Sequence, residues 1–386
     1  MRIVALPLIV RTLRGASALG VMALVLAGAC SLPGTARSTS PTASSSRPSS
    51  PSASPPSASP SGTQAPNPSP APVTAPYGVL VSAMSSTNYT VSLVGVDGRV
   101  VASAQTTTPG SVNCANAAGA LVSLPVSTSN SRVYYMDAQG VVRFLAPNGD
   151  AGRATSVPIG PARRSMFAVS PDDQRIAVIV DDFDATGAAT KLYVEDLNGG
   201  GHHLDLFSET GAYTLWPTGW HGTGNLVLSK VPSCTQGGGP FCCGPQEFHV
   251  VDPATAVRRF TVGDPTCKLA GAPSPAGVVC ETDVQASVLT WTGTSTRSFS
   301  IQGPTFAYLS PNGSLVAIVA LGGGDTVIQE TSRTLAGMQA CGWIDDNHVL
   351  SGGDAQHQPR VGDVTNGNAV AVAAQGDCAG RLPGGL

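Results

Sequence analysis

Beyond about residue 77 the chain alternates short apolar runs with polar turn dipeptides, a turn signal falling roughly every 8–12 residues. "YTVSLVGVDGRVVASAQ" turns at Asp97-Gly98, "RVYYMDAQGVVRFLAPNGD" at Asn148-Gly149, and "TKLYVEDLNGGGHHLDL" at Asn198-Gly199. Each reads as two strands across a tight turn that needs positive φ, which predicts hairpins and an all-β domain. Residues 31–76 carry almost no large apolar side chains and consist mainly of Ser, Pro, Ala, Thr and Gly. Ordering such a segment costs conformational entropy with nothing to offset it, so it reads as a disordered tether. Earlier still, residues 16–29 form an apolar run, too short to span a bilayer, which takes about 20 residues.

Within the strand-rich part, two motifs recur. "FAVSPDDQRIAVIVDD" at 167–182 and "FAYLSPNGSLVAIVAL" at 306–321 share Phe-Ala, Ser-Pro, a polar turn and an apolar run. "GWHGTGNLVLSK" at 219–230 and "GWIDDNHVLSGG" at 342–353 share Gly-Trp, a polar turn and a strand that ends in Ser. Recurrence of one strand–turn–strand unit is the signature of a repeat architecture. Ser170-Pro171-Asp172-Asp173 and Ser310-Pro311-Asn312-Gly313, with a degenerate copy at Ser274-Pro275, resemble the Ser-Pro-Asp-Gly turn of WD40-like and TolB-like β-propeller repeats. The resemblance implies a propeller of four-stranded blades. Units beginning near residues 78, 120, 164, 212, 267, 304 and 338 set the expectation at seven, with six or eight as alternatives. A ring leaves only short protected edges, and its weak point is the join between first and last blades.

The N-terminus carries Arg2, Arg11 and Arg14, no acid before the apolar run, and then Gly28-Ala29-Cys30. This resembles a bacterial lipoprotein signal, although Ala27 stands where that signal usually has Leu. The resemblance implies removal of residues 1–29 and acylation of Cys30, so that the tether to residue 76 and the propeller expected over 77–386 would be held at the extracytoplasmic face of the cell membrane by lipid. Each buried CH₂ of an acyl chain contributes about 0.8 kcal/mol of membrane affinity.

Composition supports strands and turns over helices, since charged residues are only 12% of the chain while it contains 45 Gly and 31 Pro. A net charge of −3 offers no basic face to replace phosphate counterions, so nucleic acid is set aside. With Cys30 removed from the nine cysteines, Cys114, Cys234, Cys242, Cys243, Cys267, Cys280, Cys341 and Cys378 remain. An even number in an exported chain predicts disulfides. Proximity favours Cys267 with Cys280, and Cys341 with Cys378 tying the last blade together; the other four would share two bridges. Zinc is the rival, but no CxxC spacing supports it. The insertion "VPSCTQGGGPFCCGPQEF" reads as a decorated surface loop.

Catalytic signatures such as GxSxG, HExxH, the Walker loop and GxGxxG do not occur. Asp182, Asp184 and Thr186, followed by Gly187, space their oxygens like the first half of a calcium loop, yet Tyr193 stands where the bidentate Glu belongs. His202-His203-Leu204-Asp205 reads as the polar face of an edge strand, and Asp345-Asp346-Asn347-His348 as a turn. The expectation is a monomeric, non-catalytic module without cofactor that binds a protein or cell-envelope component. The alternatives are a propeller hydrolase or lyase acting on an extracellular polymer, and a calcium-stabilised sensor.

Overall fold

The computed structural model describes residues 70–82, 87–110, 112–113, 120–121, 126–183, 188–211, 213–232, 247–269, 271–354 and 356–386. Residues 1–29, Cys30 and the tether to residue 69 lie outside them. The described residues form a seven-bladed β-propeller without helices. Blades 2, 3, 4, 6 and 7 each consist of four consecutive antiparallel strands, and their innermost strands are Val126–Thr128, Arg163–Val169, Tyr213–His221, Thr305–Leu309 and Ala340–Trp343. Blade 5 has three strands, Val278–Glu281, Gln285–Leu289 and Ser295–Ser300, and its innermost position is reduced to Lys268 bridged to Glu281.

Blade 1 is built from both ends of the domain. Tyr77–Val81, Asn88–Gly95 and Val100–Thr107 provide three strands, and Asp377–Leu382 pairs with Tyr77–Val81 from the inner side. The ring therefore closes by hydrogen bonding between its first and last strands. A two-stranded ribbon, Val112–Asn113 with Ala120–Leu121, lies between blades 1 and 2 in sequence.

Apolar contacts divide into seven clusters, one for each pair of adjacent blades. Met166, Ile179, Leu192, Trp216 and Trp220 join blades 3 and 4, whereas Leu80, Val94, Ile344, Leu350 and Val361 join blades 7 and 1. A strand buried on both faces cannot alternate, and Arg175–Phe183 accordingly reads "RIAVIVDDF". The outer strand Val100–Thr107 alternates half-buried with exposed positions because water covers one of its faces.

The two sequence repeats interlock. The indole N–H of Trp220 in blade 4 donates to the carbonyl of Ala168 in blade 3 at 3.0 Å. The indole N–H of Trp343 in blade 7 donates to the carbonyl of Tyr308 in blade 6 at 2.8 Å. Ala168 and Tyr308 each stand two residues before a Ser-Pro turn, so each Gly-Trp unit locks onto the same place in the Ser-Pro unit before it.

The turns themselves match. The Ser170 hydroxyl accepts the Arg175 N–H at 2.9 Å, and that of Ser310 accepts the Leu315 N–H at 3.0 Å. Gly313 takes φ 77°, and Asp173 holds the equivalent position at φ 60°. An aspartate stands there because its carboxylate accepts from the Ser131 hydroxyl at 2.7 Å and the Tyr134 hydroxyl at 2.6 Å, both in blade 2. A departure from the repeat pattern thus serves as an interblade contact.

Two disulfides occur among the described residues. Cys267–Cys280 lies inside blade 5. Cys341–Cys378 does not tie the last blade to itself, because Cys378 belongs to the strand that completes blade 1; the bond staples blade 7 to blade 1 across the ring closure. Cys114, Cys234, Cys242 and Cys243 lie outside the described residues.

Candidate functional site

The innermost parts of all seven blades converge on one cavity of about 220 Å³. Its wall is mostly apolar: Met166 and Phe167 from blade 3, Trp216 and Pro217 from blade 4, Tyr308 and Leu309 from blade 6, and Trp343 from blade 7. Among the described residues lining it, Arg381 is the one charged side chain. It stands on the closing strand opposite Gly78 and makes no hydrogen bond or ion pair with a described residue. Burial draws its pKa down from the ordinary arginine value, with Asp346 and Asp345 acting in the opposite sense. Arginine remains a cation in such surroundings. The Nε1 of Trp216, a residue only 4% exposed, is buried and also without a partner.

Residues 383–386 cross the cavity at the end that carries the turns between first and second strands. Gly384 N donates to Ser129 O at 2.7 Å, Leu386 N to Trp220 O at 2.7 Å, and Gly222 N to Leu386 O at 3.2 Å. His221 Nδ1 lies 2.7 Å from the same Leu386 oxygen. The Leu386 side chain packs over Gly219, where an added Cβ would stand 3.0 Å from Leu386 Cδ1.

The polar groups singled out in the sequence lie elsewhere and are already paired. Asp182 receives Arg163 through both oxygens, at 2.6 and 2.9 Å; Asp184 and Thr186 lie outside the described residues. His203 bridges Glu195 at 2.7 Å and Asp205 at 3.1 Å on the outer part of blade 3, and its pKa is raised chiefly by Glu195. His202 meets Asp196 at 2.7 Å, and His348 meets Asp345 at 2.8 Å across its own turn. These contacts organise turns and strand edges; they do not converge on the cavity.

Two buried carboxyls escaped the sequence reading. Asp181 is fully buried between blades 3 and 4, where Thr190 and Thr214 donate hydroxyls to it at 2.6 and 2.7 Å. Burial raises its pKa from 3.8 to about 6, against the pull of both threonines. Glu281, between blades 5 and 6, accepts from Thr305 at 2.9 Å and leaves Oε1 unpaired. Its pKa rises from 4.5 to about 7, again chiefly through burial. Apolar runs such as "AVIVDD" conceal such groups, because the first Asp of the pair, Asp181, reads as a turn residue like Asp182 until strand pairing sets its depth.

An acid whose pKa is raised on folding is held more tightly as a proton donor in the native state. Its stabilising contribution is complete below the unfolded pKa and is lost as pH rises through the folded one. Stability should therefore decline between about pH 4 and 7 on account of these two residues. Asp181→Asn keeps the shape and hydrogen bonding, and is expected to flatten this decline between pH 4 and 6 and to melt above the parent at pH 8. The size of the Asp181 contribution is on the order of 2–3 kcal/mol. Calorimetry across pH checks it, and parallel curves for parent and variant would refute it.

No family model and no curated protein matches the chain. Solved structures do match it at low identity. Apo AztD from Citrobacter koseri is 11% identical with a TM-score of 0.45, the match covering 80% of this chain and 97% of that one. The dihydro-heme d1 dehydrogenase NirN in complex with DHE is 12% identical with a TM-score of 0.45, covering 83% and 78%. KlHsv2 with loop 6CD replaced by a Gly-Ser linker is 12% identical with a TM-score of 0.40, covering 79% and 98%.

Proposed function

We propose that this protein is a lipid-anchored, extracytoplasmic, non-catalytic binding module of the WD40-like or TolB-like propeller type, which receives its ligand in the central cavity. The observation that carries the reading is the cavity wall. Seven blades meet there on an apolar surface with one unpartnered guanidinium, a composition suited to recognition, whereas turnover by general acid and base calls for paired titratable groups within reach of one another. Two disulfides support an oxidising compartment, consistent with export. In this reading acylated Cys30 fixes the chain to the membrane and the Ser/Pro-rich tether presents the propeller away from the bilayer. Polyproline-like segments extend ~3.1 Å per residue, so the reach is on the order of 100 Å.

Cys30→Ala in the full chain is expected to move the protein from the membrane fraction to the medium, with the propeller's melting temperature unchanged. Fractionation followed by immunodetection reads the result. Retention in the membrane fraction would overturn the anchor at Cys30.

A further inference from the structure

We infer that the central cavity binds an aromatic monocarboxylate, with its carboxylate on Arg381 and its ring among Phe167, Trp216, Tyr308 and Trp343. The inference rests on the reading of the propeller as a recognition module and names the ligand class for that cavity.

The unpaired guanidinium determines the polarity of the ligand. Arg381 is the one charged side chain of the cavity wall; it is partly exposed and has no hydrogen-bond or ion-pair partner among the described residues. A ligand that displaces water from around this guanidinium must replace the hydrogen bonds lost, so a group that fills the space should bring acceptors. The acids closest in charge to Arg381 are already engaged. Asp345 accepts from the Asn347 N–H and meets His348, both at 2.8 Å, and Asp346 accepts from the Asn312 N–H at 2.8 Å. Neither forms an ion pair with Arg381.

Charge and size narrow the class further. A guanidinium presents a planar fork of donors that fits a carboxylate in two parallel bonds. One cation in an apolar wall balances one negative charge; a phosphate dianion would leave a second charge buried and uncompensated. A dry cavity of about 150 Å³ accommodates benzene, so one of about 220 Å³ suits a ring bearing a short carboxylate. Four aromatic side chains around that space favour a flat ring, through offset and edge-on contacts, over a flexible aliphatic chain.

The test is titration of the full chain with benzoate, phenylacetate, benzamide and phenyl phosphate, followed by calorimetry and by the fluorescence of Trp216 and Trp343. Benzoate or phenylacetate is expected to saturate with Kd on the order of 0.1–1 mM, from the affinity available to about ten heavy atoms. Benzamide and phenyl phosphate should bind at least about tenfold more weakly, the size of a lost charge-assisted pair. Arg381→Met should weaken the carboxylates about tenfold while leaving benzamide unchanged, and Arg381→Lys should recover part of the loss. Absence of saturable carboxylate binding, equal binding by Arg381→Met and the parent, or preference for phenyl phosphate would each overturn the assignment. Membrane release of Cys30→Ala is read separately, so failure of the anchor and failure of the ligand class are distinguishable.

Discussion

Trp220→Ala is expected to destabilise the propeller by about 4–5 kcal/mol, at the upper end for loss of a large aromatic from a core. Trp220 is fully buried among Met166, Ile179, Leu192 and Leu226 at the interface of blades 3 and 4, so its removal leaves a void where neither blade can collapse without moving the other. The substitution also deletes the hydrogen bond to Ala168 O and the platform under Arg175, whose guanidinium carbon stands 4.7 Å from the ring centre. Unfolding entropy near 2.1 cal/mol/K per residue, over a domain of about 300 residues, converts this loss into a fall in melting temperature of about 6–8 °C. Trp220→Phe, which keeps much of the volume but not the N–H, should lose about half as much. A change below about 1 kcal/mol for Trp220→Ala would show that the Gly-Trp unit does not carry the interface. Trp343→Ala provides the second instance, with a smaller loss because Trp343 also borders the cavity.

The Trp220 contact shows which parts of the fold were legible in the sequence. The hairpins were, because their turns are marked by residues that tolerate positive φ: Gly98 at 79°, Gly149 at 87° and Gly313 at 77°. Seven repeat starts followed from the spacing of those turns and from the two recurrent motifs, and the blades begin close to them. The meeting of Trp220 with Ala168 was not legible, since the two lie 52 residues apart and each repeat names its own shape without naming the neighbour it packs on. Blade 5 departs for a local reason: residues 263–277 hold Pro265, Pro273, Pro275 and several Gly, and among the described residues such a stretch sustains only the isolated bridges Lys268 with Glu281 and Ser274 with Gly277 where a strand would run. Arg381 was hidden as well. In "GDCAGRLPGGL" it is one cation among glycines, and only the return of the C-terminal strand into blade 1 brings it to the cavity.

The same closing strand carries the second large effect. Replacing Cys341 and Cys378 together by serine is expected to cost about 4 kcal/mol, from a chain-entropy treatment of a loop with sequence separation 37. The expected fall in melting temperature is about 6 °C. Cys267→Ser with Cys280→Ser, separation 13, should cost about 3 kcal/mol by the same treatment. The two losses differ more in place than in size. Asp377–Leu382 pairs with a strand only on its outer side, through Tyr77–Val81, so without the staple to Cys341 the ring can open there while the other blades stay closed. Hydrogen exchange should therefore accelerate in residues 77–81 and 377–382 of the first variant and remain slow in blades 3 and 4. Uniform acceleration in every blade would mean that the bond supports global stability only. Arg381 lies on the same strand, three residues beyond Cys378, so opening at this seam also loosens the cavity wall. Benzoate binding should accordingly weaken in the Cys341→Ser, Cys378→Ser variant and survive in the blade 5 variant. Equal retention in both would separate the closure of the ring from the formation of the cavity.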